Sequence, residues 1–384
     1  MIYNKNYWKY FKFFDNEFIL YLLYNYNNKI PVSGSELYPI INDIKYKIST
    51  ELDKTFERYN SSYYLFNACK SGNKGAVEFL LEHGADLKIK DEDNRIALAR
   101  ACESGNLHLV KYIVRLGADI HNEYNSGVTH IFNACLSGNL NLVKYLVDHG
   151  LDINKETGKD FTPLFNACEK GHITIVKYLL ELGANINKEE NNGHTPLMYA
   201  CQNGHEKLVK YLVEHGANIY KNSNFECTAL KEACWSDNLN LVKYLVELEL
   251  DINKEDNDGY TPLYIACENG HENVVKYLME LGANINKGNN NGWTPLMIAC
   301  QNGHENVVKY LMELGAYINK KIINDYRPLF NACKKGHINI VKCLVEIGAN
   351  INKENNDGET PLFIANKAGH EDIVKYLVEH DYLI

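Results

Sequence analysis

The sequence predicts an all-α protein: a solenoid of ten helix-turn-helix units of 33 residues, joined by hairpin-like turns and preceded by a helical N-terminal segment. Three observations predict it. An alanine recurs every 33 residues, at Ala68, Ala101, Ala134, Ala167, Ala200, Ala233, Ala266, Ala299, Ala332 and Ala365, with no insertion anywhere. A leucine three residues earlier keeps the same register from Leu65 to Leu362, with Ile131 standing in once. Between the apolar segments lie runs rich in Asn and Gly, which suit reversing turns.

The first 61 residues stand outside that register but keep a helical period. Tyr7, Phe11, Phe14, Phe18 and Tyr21 are spaced by four and three, and Ile41, Ile44 and Ile48 mark a second helix from about Pro39 to Arg58. The stretch "NNKIPVSGSE" (27–36) links them. Residues 1–61 read as a cap over the exposed end of the first unit, or as a docking segment for another protein. The units then start near residues 62, 94, 126, 158, 192, 225, 258, 291, 324 and 357 and run to 384.

"GYTPLYIACENGHENVVKYLMELGANINKG" (259–288) shows why each unit folds as two helices. Thr261 is placed to cap the first helix, and Pro262 opens it where a missing N–H costs nothing. The helix runs to about Asn269, and Gly270 can take the left-handed conformation that closes it. The second helix spans about Glu272 to Leu281, buries Val275 and Leu278, and stops at Gly282. So small a pair cannot bury its apolar face alone, so neighbours must stack.

Composition narrows the function. Hydrophobic residues make up 45% and charged residues 23%, which suits a folded chain with a buried core. A net charge of −9 argues against a nucleic-acid surface, which needs clustered Lys and Arg. "FILYLLY" (18–24) is too short to span a bilayer, and because Asp15 and Glu17 interrupt the aromatic N-terminal residues and no small-residue cleavage site follows, a secretory signal is not expected. Eleven Cys without such a signal point to a reducing, intracellular and cytoplasmic setting, the nucleus included. The surplus of Tyr, Asn, Lys and Ile fits an AT-rich genome better than any particular activity. No glycine-rich phosphate loop, nucleophile elbow or paired-carboxylate signature is present, so no catalytic residue or cofactor is assigned.

The pattern resembles the ankyrin repeat, whose 33-residue unit opens on Thr-Pro-Leu-His and carries Gly-His between its helices. "TPLFNACEKGHITIVKYLLELGANIN" (162–187), "TPLMYACQNGHEKLVKYLVEHGANI" (195–219) and "TPLFIANKAGHEDIVKYLVEH" (360–380) carry the resemblance most fully. Tyr64, Ala97 and His130 stand where Pro is expected. The family's His after Thr-Pro-Leu is replaced by an apolar ladder: Phe66, Phe132, Phe165, Met198, Tyr264, Met297, Phe330 and Phe363. Core packing is the plain reading of that ladder.

Three further columns invite chemistry. Cys168/His172, Cys201/His205, Cys267/His271, Cys300/His304 and Cys333/His337 repeat a Cys-x-x-x-His spacing that suggests zinc when read singly. Read as columns, the Cys is a small buried hydrophobe and no metal is assigned. Lys111 to Lys375 form a lysine row, but Glu206, Glu272, Glu305 and Glu371 lie four residues before a lysine and cancel its field, so a solvated face is expected. The unit from 225 breaks the rules: Glu226, Asp237 and Glu249 occupy its three usual Gly positions, and Phe225 and Trp235 lie within it. It is expected to be the least stable, as a bend or as tolerated drift.

The resemblance implies a non-catalytic scaffold that binds a partner protein through turn tips and the concave face of the first helices. Two columns are expected to carry that binding. The tip column includes Phe161, His194, Cys227, Tyr260, Trp293 and Tyr326; the column after Ala-Cys includes Trp235, Glu268 and Gln301. Tyr260, Trp293 and Tyr326 form an aromatic edge of the kind that anchors interfaces. The alternative is an adaptor whose N-terminal helices recruit enzymatic machinery, such as a degradation complex, to a client held by the repeats.

Overall fold

The computed structural model describes residues 61–82, 84–320 and 327–381. The expected cap over residues 1–61 therefore lies outside the described residues, apart from Ser61, which opens the first described helix. Among the described residues there are twenty α-helices, one 3-10 turn at Asn125–Gly127, and no strand.

The chain divides after Asn166 into two compact units. In the first, the helices Ser61–Lys70, Ala97–Glu103 and His130–Ser137 pack in succession, each also against its own partner: Lys74–Glu82, Leu107–Arg115 and Leu140–Asp148. The second unit repeats the arrangement, from Pro196–Gln202 with Glu206–Glu214 through to Pro361–Lys367 with Glu371–Asp381.

The local chemistry follows the residue types. Thr261 Oγ1 accepts the Tyr264 N–H at 3.2 Å ahead of the helix Pro262–Asn269, and Gly270 closes that helix at φ +74°. The second helix is Glu272–Glu280; Gly282 and Ala283 donate back to Met279 and Leu278, both at 3.0 Å, which satisfies its last carbonyls. Ile96 and Thr129, neither followed by Pro, make no side-chain capping bond, whereas Thr228, followed by Ala229, accepts the Lys231 N–H at 3.1 Å. Leu98, Leu164, Val275, Leu278 and the Cys column from Cys69 to Cys333 are essentially inaccessible.

The apolar ladder is core over most of its length, though Phe66 is only half-buried. Phe132, Phe165, Met198, Tyr264, Met297 and Phe330 are at most 4% exposed, whereas Phe363, in the last helix pair, is 52% exposed.

Between the helix pairs the turns form narrow hairpins. The Tyr260 N–H donates to Asp256 Oδ1 at 2.8 Å and the Asp256 N–H to the Tyr260 carbonyl at 3.2 Å. Successive turns are stitched by asparagines: Asn224, Asn257 and Asn290 each donate Nδ2 to a carbonyl of the preceding turn, at 2.9, 3.1 and 2.8 Å. The Asn surplus thus has structural work here, which composition alone had assigned to codon bias.

Candidate functional site

The columns that looked chemical resolve into packing. Nε2 of His205, His271, His304 and His337 bonds the carbonyl of Glu169, Trp235, Glu268 and Gln301, 36 residues earlier, at 2.8 to 3.0 Å. Each imidazole therefore reaches the previous helix pair rather than the Cys four residues before it. Where the column carries Asn instead, Asn106, Asn139 and Asn238 cap the second helix with Oδ1 and donate Nδ2 to a glycine carbonyl of the previous pair. Burial pushes the thiols of Cys69 and Cys333 up to about 12, so they stay protonated and unreactive.

The lysine row also has a partner that sequence reasoning missed. Lys177 sits 4.8 Å from the centroid of Tyr211, Lys210 5.2 Å from Tyr244 and Lys243 5.3 Å from Tyr277, so each ammonium covers the tyrosine of the next pair. Two of the anticipated helical ion pairs close as well, Lys210–Glu206 at 2.6 Å and Lys276–Glu272 at 2.5 Å. The repeated "VKYL" was the available signal.

The sequence-nominated binding residues fall into two kinds of place. Phe161, Tyr260 and Trp293 are half-buried at the tips; Phe161 packs at a tilt against Phe165 with centroids 5.0 Å apart and Tyr260 against Tyr264 at 4.8 Å. Tyr326 lies outside the described residues. After the first helices, Trp235 is 39% exposed, while Glu268 and Gln301 are half-buried and burial raises the Glu268 carboxyl above its usual range. Phe161, Tyr260 and Trp293 are thus less exposed than Trp235. Tyr220 and Tyr317, exposed at 69% and 61% on the turns after the second helices, were not singled out from the sequence.

The unit from 225 is the chemically unusual place. Of its three substituted glycine positions, Glu226 and Glu249 do take the left-handed conformation, at φ +60° and +62°. Asp237 does not: the first helix ends early, at Ala233, and Ser236 Oγ donates to the Ala233 carbonyl at 2.9 Å. A shortened helix removes the need for a strained cap there.

That helix, Ala229–Ala233, carries two charges at core positions. Lys231 occupies the ladder column and Glu232 follows it, each only 4% exposed. Lys231 Nζ is ion-paired with Asp256 on the next turn. Glu232 Oε1 lies 3.5 Å from Nε2 of His194, whose Nδ1 is 3.2 Å from Oε1 of the buried Glu190. Hydrogen bonds that the His194 ring donates to Cys227 and Glu232 hold its pKa up to about 10. Burial pushes the Cys227 thiol up, but bonds from His194, Lys231 and Ser223 outweigh it and lower its pKa. Two tip-column residues, His194 and Cys227, are thereby brought together with charges that sequence reasoning missed; the break in the apolar ladder at Lys231 was the signal.

Among the described residues no helix is long and apolar enough to cross a membrane. No curated protein matches the chain. A family profile described as "Ankyrin repeats (3 copies)" matches residues 37–124, 98–190, 186–256, 233–322 and 319–384. With those matches spanning most of its length, and the capped helix pairs and stacked turns just described, the chain belongs to the ankyrin repeat family.

Proposed function

We propose that this protein is a non-catalytic scaffold that binds a partner protein through Trp235, Glu268 and Gln301 together with the aromatic tips Phe161, Tyr260, Trp293 and Tyr326. Ankyrin repeats are generally protein–protein interaction modules, and the fold is typically a non-catalytic interaction scaffold. One observation carries the assignment of residues. At Trp235, Glu268 and Gln301 the fold uses the main chain, whose carbonyls accept the imidazoles of His271, His304 and His337. Side-chain identity there is consequently left to serve something else, and an indole 39% exposed suits a desolvated anchor.

Changing Tyr260, Trp293 and Tyr326 together to Ala, and separately Trp235 to Ala, tests the reading by affinity capture from cells of the source organism. Each anchor lost should weaken capture by about 30-fold, the equivalent of about 2 kcal/mol, with far-ultraviolet circular dichroism unchanged. Undiminished capture by both variants refutes the assignment.

A further inference from the structure

We propose that His194, Cys227 and Glu232 form a binding site for a divalent transition-metal ion of the zinc class, with Glu190 orienting the imidazole. The site is distinct from the repeated Cys-x-x-x-His pairs and does not depend on the identity of any protein partner.

Geometry is the first support. One ligand atom from each residue can be chosen so that all three lie within 4.8 Å of one another, and His194 Nε2 and Glu232 Oε1 are 3.5 Å apart. Tetrahedral zinc with bonds of about 2.0 to 2.3 Å sets its ligand atoms about 3.4 to 3.7 Å apart, so the widest pair contracts by about 1 Å. Three protein ligands leave the fourth position to water. A thiolate and an imidazole in the set select zinc-like ions over magnesium or calcium, which take oxygen.

The orientation of His194 is the second. Glu190, with a side chain only 1% exposed, receives both the His194 backbone N–H and Nδ1, each at 3.2 Å. That contact places the Nδ1 proton toward the carboxylate and turns Nε2 toward Cys227 and Glu232, the arrangement that metal-binding histidines use.

Charge is the third. Glu190, Glu232 and Asp256 are three carboxylates facing the Lys231 ammonium and the His194 imidazole within one largely buried cluster. Lys231 is ion-paired with Asp256, which fixes its ammonium within the same cluster. When the ion binds, the His194 imidazole presents Nε2 without a proton and the Cys227 thiol releases its proton to solvent, so that the sulfur binds as thiolate. The dication is then balanced by one thiolate and one carboxylate, which offsets the cost of burying it.

Titration of the full chain with cobalt(II) tests the site. One equivalent should produce a thiolate-to-cobalt charge-transfer band in the near ultraviolet together with intense visible bands of a tetrahedral ion. Cys227→Ser should abolish the charge-transfer band, and His194→Gln or Glu190→Gln should weaken affinity by at least about tenfold. Cys300→Ser should leave the band intact. In case a variant fails to fold, peptide-resolved alkylation of the unaltered chain provides a second measurement: zinc should slow modification of Cys227 and leave that of Cys343 unchanged. Absence of the cobalt band, its survival in Cys227→Ser, or alkylation of Cys227 at the same rate with zinc present would overturn the proposal.

Discussion

Gly270 and Gly282 both have left-handed backbones, at φ +74° and +85°, yet they are not equivalent. A Cβ on Gly270 would overlap the His304 ring of the next helix pair, whereas one on Gly282 would meet nothing within 4 Å. Gly282→Ala should therefore cost only the backbone strain, on the order of 1 kcal/mol, and Gly270→Ala about 2 kcal/mol or more, because the imidazole and its bond to the Glu268 carbonyl must shift as well. Urea denaturation of the two variants checks the order, and equal costs would remove the packing argument. His130 offers a second test. It is fully buried, bonded to the Tyr124 hydroxyl and the Asp119 carbonyl, and burial lowers its pKa to about 4. The unfolded chain takes up this proton below about pH 6.5 while the folded chain resists until about 4, so stability falls as pH drops through that window. The loss should approach about 3 kcal/mol, and His130→Gln should flatten the difference between stability at pH 7 and at pH 4.5.

At the scale of elements, the helix Ala229–Ala233 departs from its neighbours in the same unit because a buried Lys replaces an apolar ladder member. Lys231→Met restores the ladder chemistry but strands the Asp256 carboxylate, which is 7% exposed. It should cost about 3 to 5 kcal/mol, as breaking a buried pair does, while Lys231→Met with Asp256→Asn should recover most of that loss. A double-mutant cycle by thermal or chemical denaturation measures the coupling; additive costs would mean that the pair contributes nothing specific. Helix ends and caps in this region were readable because Thr, Pro, Gly and Asn act locally. Thr261, Pro262 and Gly270 fall where the sequence puts them, and the second helix ends one residue earlier than expected. The early stop at Ala233 was not readable, since Asp237 sits in a glycine column and only the backbone shows how strain there is avoided.

For the molecule as a whole, the period makes each pair exchangeable with its neighbour. Removing residues 261–293 joins Tyr260 to Thr294 in register, so that His304 can bond the Trp235 carbonyl as His271 does now. Because the helix pairs of the second unit pack in succession, the shortened chain should stay folded, with helical signal reduced in proportion and a small loss of stability. A collapsed circular dichroism spectrum or a non-cooperative transition would contradict nearest-neighbour stacking. The sequence by itself determined the all-α class, the 33-residue unit, the buried Cys and Leu columns and the ankyrin resemblance. Each of these is a periodic pattern imposed by repeated local chemistry, so one chain contains many copies of the same signal. Only the tertiary structure decided which residues of different turns meet: His194, Cys227, Glu232 and Glu190 come together, Lys231 pairs with Asp256, and Lys177, Lys210 and Lys243 each cover the next pair's tyrosine. Such meetings depend on how far one turn is offset against the next, a distance that spacing along the chain does not contain.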